Sequence, residues 1–528
     1  MRVVHIATAD CRGGAARAAF RLHEGLLSRG VDSAMLVKSK TSGLRSVQSI
    51  SRDKTTDFFW KLLQTHSIDN NRSSLSNTFF SIGQPGYDLS EHPLVRKADI
   101  LHLHWVAKFQ SAASIARLQA LGKLFIWTLH DQRPFTGGCH FSAGCARYED
   151  RCQSCPQLKE DLCGLARANL ADQMQLWRAA DMVVVCPSKW LAACARKSAL
   201  FRNARVETIP YGVEAAVFQP TPKAEARRKL RLSEKGVYLL FGADHAAERR
   251  KGFRELIEAI EFCRSVPAFR ERVQRSELAL LAFGAEHADV ASLGIPFISL
   301  GYIQSDVQLA LAYSAADLFV LPSLEDNLPN TMLEAMSCGT PVAGFDSGGV
   351  PDLLTNDITG QLAPVGNAQK LGEAIVSLLS DPSKLEVMGQ NCRRTIEQRC
   401  SVQRQAEVLH QLYDELWRSR TVKESRLFSS TGWSGEIGPQ FQGIFPQLLL
   451  TALGQLKKVD SNATLTEIER RRRLRCVRRL ERMAPTAEPK QIIGSRWMER
   501  LRIELHLDAK TAPSALRRLT RLVKSLGT

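Results

Sequence analysis

The sequence predicts an α/β protein made of two doubly wound, Rossmann-like domains facing a cleft. A basic, mainly helical C-terminal extension follows them. Three observations predict this. Apolar strand-like runs alternate with amphipathic helical stretches from residue 1 to about residue 400, the pattern of a parallel sheet covered by helices on both faces. A polar stretch from Pro220 to Glu234 interrupts the alternation, as a linker between domains does. Charge is also uneven. Residues 421–528 hold 21 Lys/Arg against 10 Asp/Glu, so +11 of the net +17 lies there and +6 in the first 420 residues.

Composition sets the bounds. The chain has 528 residues, 44% apolar and 24% charged, which excludes wholesale disorder and fibrous repeats. No run approaches the ~18 apolar residues of a membrane span. Met1 to Thr8 reads as a strand and lacks the features of a signal peptide, so the expected compartment is the cytoplasm. Thirteen cysteines, an odd number spread along a long chain, do not resemble a secreted disulfide framework.

Taken in order, the first series of strands is Val3–Thr8, Ser33–Val37, Ile100–Trp105, Leu124–Leu129, Met182–Pro187 and Val206–Ile209. Ala15–Ser28 and Lys189–Ala199 show helical periodicity between them. The second series is Val237–Ala243, Leu278–Gly284, Phe297–Leu300, Leu318–Pro322 and Val342–Phe345. Its helices are Phe253–Arg264, Asp306–Ala316, Thr331–Ser337 and Lys370–Ser380, with a helix-rich stretch from Pro382 to Arg418. The expected units are therefore 1–213, 214–400, a closing helix 401–420 and the extension 421–528.

Ligands bind outside the carboxyl ends of strands in such sheets, so residues just after strands carry the chemistry. Gly13-Gly14 follows the first strand and opens a helix. Glycines there let backbone N–H groups approach an anion, though a tight structural turn fits equally. His130 ends a strand beside Asp131, which can orient it. Arg249-Arg250-Lys251-Gly252 lies between a strand and a helix, and such cations can neutralise a diphosphate; a solvated basic loop is the plain alternative. The most patterned segment runs from Leu318 to Pro341. A buried strand ends at Pro322-Ser323, a loop carries Glu325 and Asp326, and a helix then carries Glu334. Acids at such a place accept hydrogen bonds from sugar hydroxyls.

With Pro187-Ser188, Ile209-Pro-Tyr-Gly212-Val213 and Gly301-Tyr302-Ile303, these motifs resemble the retaining glycosyltransferases of family 4, with the GT-B fold. The resemblance runs from residue 1 to about residue 418. Thr136-Gly-Gly-Cys139-His140 resembles a subgroup that builds exopolysaccharides, as colanic-acid-type enzymes do. The resemblance implies a UDP- or GDP-linked sugar donor held mainly by the second domain, and a glycan or lipid-linked acceptor held mainly by the first. It implies that Glu334 holds the ribose hydroxyls and that Asp326, or Glu325 beside it, faces the donor sugar. Asn327, Leu328 and Pro329 would surround the sugar and diphosphate, Lys251, Arg250 and Arg249 would bind the diphosphate, and Tyr302-Ile303 would meet the nucleobase. Gly13 and Gly14 would lie near the transferred group, and His130 near the donor sugar. No metal cofactor is implied for catalysis, and no Asp-x-Asp occurs in the chain. Same-fold epimerases and phosphorylases, and a nonenzymatic polyanion-binding protein, are the competing readings.

Two features stand apart. Cys139, Cys145, Cys152 and Cys155 lie in a loop spanning 136–163 with spacing C-x5-C-x6-C-x2-C. A structural zinc, buried free thiols and redox-active disulfides all fit. In the extension, Arg470–Arg473, Arg475, Arg478, Arg479 and Arg482 recur with Leu474, Val477 and Leu480. Such a basic amphipathic helix suits an anionic membrane surface, which would place the protein peripherally at the inner face of the membrane. A solvated helix packed on the main body also fits. Nucleic acid is not an expected partner, since no stacking motif accompanies the charge.

Overall fold

The computed structural model describes residues 1–419 apart from 52–53, 76–78, 162, 244–247 and 285–292, together with 437–445 and 448. Two parallel sheets form the body. The first contains β1 (Arg2–Ala9), β2 (Asp32–Ser39), β3 (Val47–Ser49), β4 (Ile100–Leu103), β5 (Leu124–Thr128), β6 (Met182–Cys186) and β7 (Arg205–Thr208). Its order is β3-β2-β1-β4-β5-β6-β7. The second contains β8 (Val237–Ala243), β9 (Leu278–Gly284), β10 (Phe297–Ser299), β11 (Leu318–Leu321), β12 (Val342–Phe345) and β13 (Gly360–Ala363), in the order β10-β9-β8-β11-β12-β13. Strands such as β6 (Met-Val-Val-Val-Cys) are buried along their whole length, because helices cover both faces.

Strand order reverses between β1 and β4 in the first sheet and between β8 and β11 in the second. Crevices at such switch points are where open α/β sheets bind ligands. The Gly13-Gly14 turn follows β1, His104 follows β4, and the 322–329 loop follows β11. The topology alone therefore gathers the motif residues on one side of each sheet.

Helix Gly14–Ser28 buries Ala16, Ala18, Ala19, Leu22 and Leu26. It also packs on helix Val402–Arg418, which shares a core with β1, β5 and β6 through Ala406, Leu409, Leu412 and Tyr413. A Cβ on Gly25 would stand 2.5 Å from the Val402 side chain, so only glycine permits that approach. The chain thus leaves the second sheet and closes back on the first.

Two expectations need correction. The polar stretch 220–234 is not a bare linker: it contains helix Lys223–Lys229. Arg227 is buried there, with Nη2 2.8 Å from Asp317 and Nε donating to the Ala315 carbonyl at 3.0 Å. The extension is also not wholly an appendage. Ile437, Phe441, Phe445 and Leu448 lie in the core of the first domain, where Phe441 and Phe445 meet Trp60 with ring centroids 6.0 and 6.1 Å apart. Asp172 accepts from the backbone N–H groups of Gln440 and Phe441 at 2.8 and 2.9 Å. The Arg470–Arg482 stretch lies outside the described residues. No helix among those described is long and apolar enough to cross a membrane.

Candidate active site

The loop after β11 is the centre of the site. Asp326 is buried, and its Oδ2 sits 2.6 Å from Lys251 Nζ and 3.1 Å from Arg250 Nη1. Burial alone would raise its carboxyl, but Lys251 and Arg250 outweigh that and hold it below the usual aspartate value. The two cations reach it because Gly252, at φ +71°, turns the chain where a Cβ would fall 1.7 Å from the Pro322 carbonyl oxygen. Arg250 further lies over the Phe141 ring at 4.4 Å, so it bridges the two domains. Arg249 does not join this group. Its guanidinium pairs with Glu255 on the helix that follows.

Glu325 and Asp326 diverge. Glu325 Oε2 accepts from the Ala143 backbone N–H at 2.9 Å, across the cleft in the cysteine-rich loop, and burial pushes its carboxyl up. Only the Asp326 carboxylate pairs with the cations; Glu325 meets Arg250 Nη1 through its backbone carbonyl at 3.4 Å. Asn327 spans the domains as well. Its Oδ1 accepts from Ser188 Oγ at 2.7 Å, and its Nδ2 donates to the His130 carbonyl at 3.2 Å and stands 3.5 Å from Tyr211 Oη. Leu328 is buried, and Pro329 caps helix Asn330–Ser337.

His130 stacks on Tyr211 with 5.3 Å between rings, and Tyr211 Oη lies 2.8 Å from His130 Nδ1. Burial lowers His130 to about 4, so the ring is neutral near pH 7. Behind it runs a row of buried histidines that the sequence patterning did not reveal. His130 Nε2 is 3.3 Å from His104 Nδ1, and His104 Nε2 is 2.9 Å from His5 Nδ1. His102 stacks on His104 and bonds Tyr413 Oη and Thr128 Oγ1. His5, His102 and His104 present ring nitrogens within 4.8 Å of one another, a grouping that could hold a metal ion. Both nitrogens of His102 and of His104 are already engaged, so the row reads as a hydrogen-bonded layer.

The Gly13-Gly14 turn meets the second domain directly: Asn330 Nδ2 donates to the Gly14 carbonyl at 2.8 Å. One and two turns further along that helix, Arg17 and Arg21 reach across to Asp306 and Glu334. Arg21 Nη2 is 2.8 Å from Glu334 Oε1, and Arg17 Nη2 is 3.5 Å from the same oxygen. Tyr313 Oη donates to Glu334 Oε2 at 3.2 Å. The sequence singled out Glu334 but not these partners; Arg17 and Arg21 lie more than 300 residues away in the chain, and Tyr313 lies on the helix before it. Tyr302 and Ile303 follow β10; the Tyr302 side chain is 65% exposed, and Ile303 packs on the second domain's core. Cys139, Cys145, Cys152 and Cys155 are free thiols lining one pocket with Phe80 and Tyr148. The Gly137 N–H donates to Cys152 Sγ at 3.3 Å.

This architecture, two facing parallel α/β domains closed by a returning helix, is the GT-B fold. It is shared with sucrose-phosphate synthase from Thermosynechococcus elongatus (TM-score 0.54, 18% identity, covering 80% of this chain and 100% of that one). Anabaena Alr3699/HepE, solved in complex with UDP and glucose, is similar at TM-score 0.52 and 15% identity, covering 80% of this chain and 100% of that one. Residues 222–395 match the family model of the glycosyl transferases group 1. Among curated relatives, the sulfoquinovosyl transferase of Arabidopsis thaliana is 28% identical over 232 residues, 42% of this chain and 39% of that protein. The D-inositol 3-phosphate glycosyltransferase of Thermobispora bispora is 32% identical over 200 residues, 35% of this chain and 44% of that protein. The chain thus spans about two-fifths of the length of the curated relatives it matches.

Proposed function

We propose that the protein is a retaining glycosyltransferase of family 4. It moves a sugar from a UDP- or GDP-linked donor to a glycan or lipid-linked acceptor, in exopolysaccharide or lipopolysaccharide biosynthesis. The observation that carries the reading is the Lys251–Arg250–Asp326 cluster at the β8/β11 switch point, within a segment that matches group 1 glycosyl transferases. Lys251 and Arg250 bind the donor diphosphate and stabilise the negative charge that grows on it as the glycosidic bond breaks. They are fixed in place before the donor arrives, so little reorganisation is needed at the moment of reaction. No mobile divalent cation is required in this reading.

Asp326 orients the two cations and faces the donor sugar. His130 stays neutral and offers its backbone and ring to the same space, and Asn327 holds the two domains in register around it. Glu334 takes the ribose hydroxyls, for which it must exchange Arg21. A closed cleft that opens to admit donor is the simplest way to do so. Transfer with retention then proceeds on one face of the sugar, the leaving phosphate accepting the acceptor's proton. The four thiols at 139, 145, 152 and 155 line one pocket in the loop that touches Glu325, and they would have to draw closer together to hold a structural zinc there. The basic extension docks on an anionic membrane surface, at its cytoplasmic side. Incubation with a nucleotide-sugar panel and membrane lipid extract, followed by NMR of the product anomer, tests the reading. Formation of an inverted linkage, or of no glycoside from any donor, would contradict it.

A further inference from the structure

Behind His130 lies a second, half-open pocket in the first domain. It is lined among others by Trp105, Trp127, Asp131, Arg133, Gln173 and Trp177. Two of its polar groups have no partner. Gln173 is buried, 3% exposed, and its Oε1 accepts no hydrogen bond. The buried Arg133 Nε donates none, and no carboxylate comes within ion-pair distance of its guanidinium among the described residues. Native proteins seldom leave such groups unsatisfied, and each exception calls for an explanation.

The obvious counter-charge is already committed. Asp131 Oδ2 accepts from His140 Nδ1 at 2.6 Å and from Trp105 Nε1 at 2.7 Å, while Oδ1 accepts from the Arg133 backbone N–H at 2.9 Å. The indole N–H groups are spoken for too: Trp127 donates to the His104 carbonyl and Trp177 to that of Ala112. What remains toward the pocket is a cation, an amide acceptor and aromatic faces. A cation with no direct ion-pair partner in a sheltered site, its charge met only through space by Asp131, attracts an anion, and an orphan amide oxygen takes a hydroxyl. Aromatic walls suit the apolar faces of a sugar ring.

We infer that this pocket is an acceptor subsite for an acidic sugar, with Arg133 binding its carboxylate or phosphate and Gln173 a neighbouring hydroxyl. The inference rests on the transferase reading and names the substrate class of its acceptor side. His130 lines the same pocket, so an acceptor seated there lies beside the proposed site of transfer.

The test is calorimetric titration of the full chain with glucuronate, glucose 6-phosphate and glucose. One anionic probe should bind on the order of tenfold or more tightly than glucose, as a charge-assisted hydrogen bond implies. Which anion is preferred tells carboxylate from phosphate. Arg133→Gln should abolish the preference, and Arg133→Lys should retain part of it. Equal binding of charged and neutral probes overturns the inference, as does no binding of either anion or a preference that survives Arg133→Gln. Anion binding at the diphosphate cations would not depend on Arg133. UDP and GDP titrated into the wild type test the donor reading separately, since loss of the sugar preference leaves nucleotide binding in place.

Discussion

Replacing Asp326 with Asn leaves the shape of the site and removes the charge between Lys251 and Arg250. Those side chains are 21% and 15% exposed and Asp326 is 11% exposed. Breaking a fully buried pair from one side costs ~3–5 kcal/mol. Here water reaches part of the two cations and Asn can still accept one hydrogen bond, so the expected loss is about 2–3 kcal/mol. A domain total of roughly 5–15 kcal/mol leaves the variant folded. For a domain of this size each kcal/mol shifts Tm by about 2–4 °C, giving a fall of about 4–12 °C. Because the folded carboxyl lies below its ordinary value, this stabilisation is fully present above the unfolded aspartate pKa and is lost as pH falls through the folded one. Calorimetric melting of both proteins from pH 7 to pH 3 at fixed salt measures it. The gap should hold steady down to about pH 5 and begin to narrow below about pH 4. A Tm within about 1 °C of wild type at pH 7, or a gap that does not narrow at all as pH falls below about 4, would refute the ion-pair reasoning.

Other outcomes follow from the same structure. Burial lowers His23 and His130 to about 4 and His102 to about 3. The unfolded chain therefore binds more protons below pH 6.5, and first-domain stability should fall as pH drops from 6.5 toward 4; a flat melting profile over that window contradicts the neutral histidine row. Phe441→Ala should destabilise the first domain by ~3–5 kcal/mol, seen as faster limited proteolysis of residues 1–213, and unchanged cleavage would show that the 437–448 segment does not support that core. Arg21→Met leaves Glu334 short of its nearest cation and should lower stability by ~3 kcal/mol or more, measured by urea unfolding. Metal analysis of purified protein should find one zinc per chain, released by a thiol-reactive mercurial; an absence of metal in protein purified with its thiols reduced would exclude that proposal.

The parallel strands were legible because burial on both faces leaves continuous apolar runs: Val237–Ala243, Leu278–Gly284 and Val342–Phe345 match the observed bounds. β3 (Val-Gln-Ser) and β13 (Gly-Gln-Leu-Ala) escaped notice because short edge strands carry little apolar signal. Helix Lys223–Lys229 was hidden by its polarity, since Arg227 is buried through a pair with Asp317, a partner 90 residues on. The Asp326 and Glu334 positions were legible as acids after a strand. The division of labour between Glu325 and Asp326 was not, because it depends on Ala143 and Lys251 meeting them in space. The histidine row and the Arg21–Glu334 pair likewise arise from tertiary register. His5 and His102 are directly paired on neighbouring strands, which no local pattern encodes.

The donor site is the central claim, and nucleotide titration reaches it most directly. UDP and GDP are titrated calorimetrically into the wild type and into Glu334→Ala. One nucleotide should bind the wild type and lose on the order of tenfold or more in affinity in the variant, as ribose hydroxyls lose a charged acceptor. Binding of neither nucleotide to the folded wild type, or equal binding to both proteins, would contradict the placement of the donor between β8 and β11.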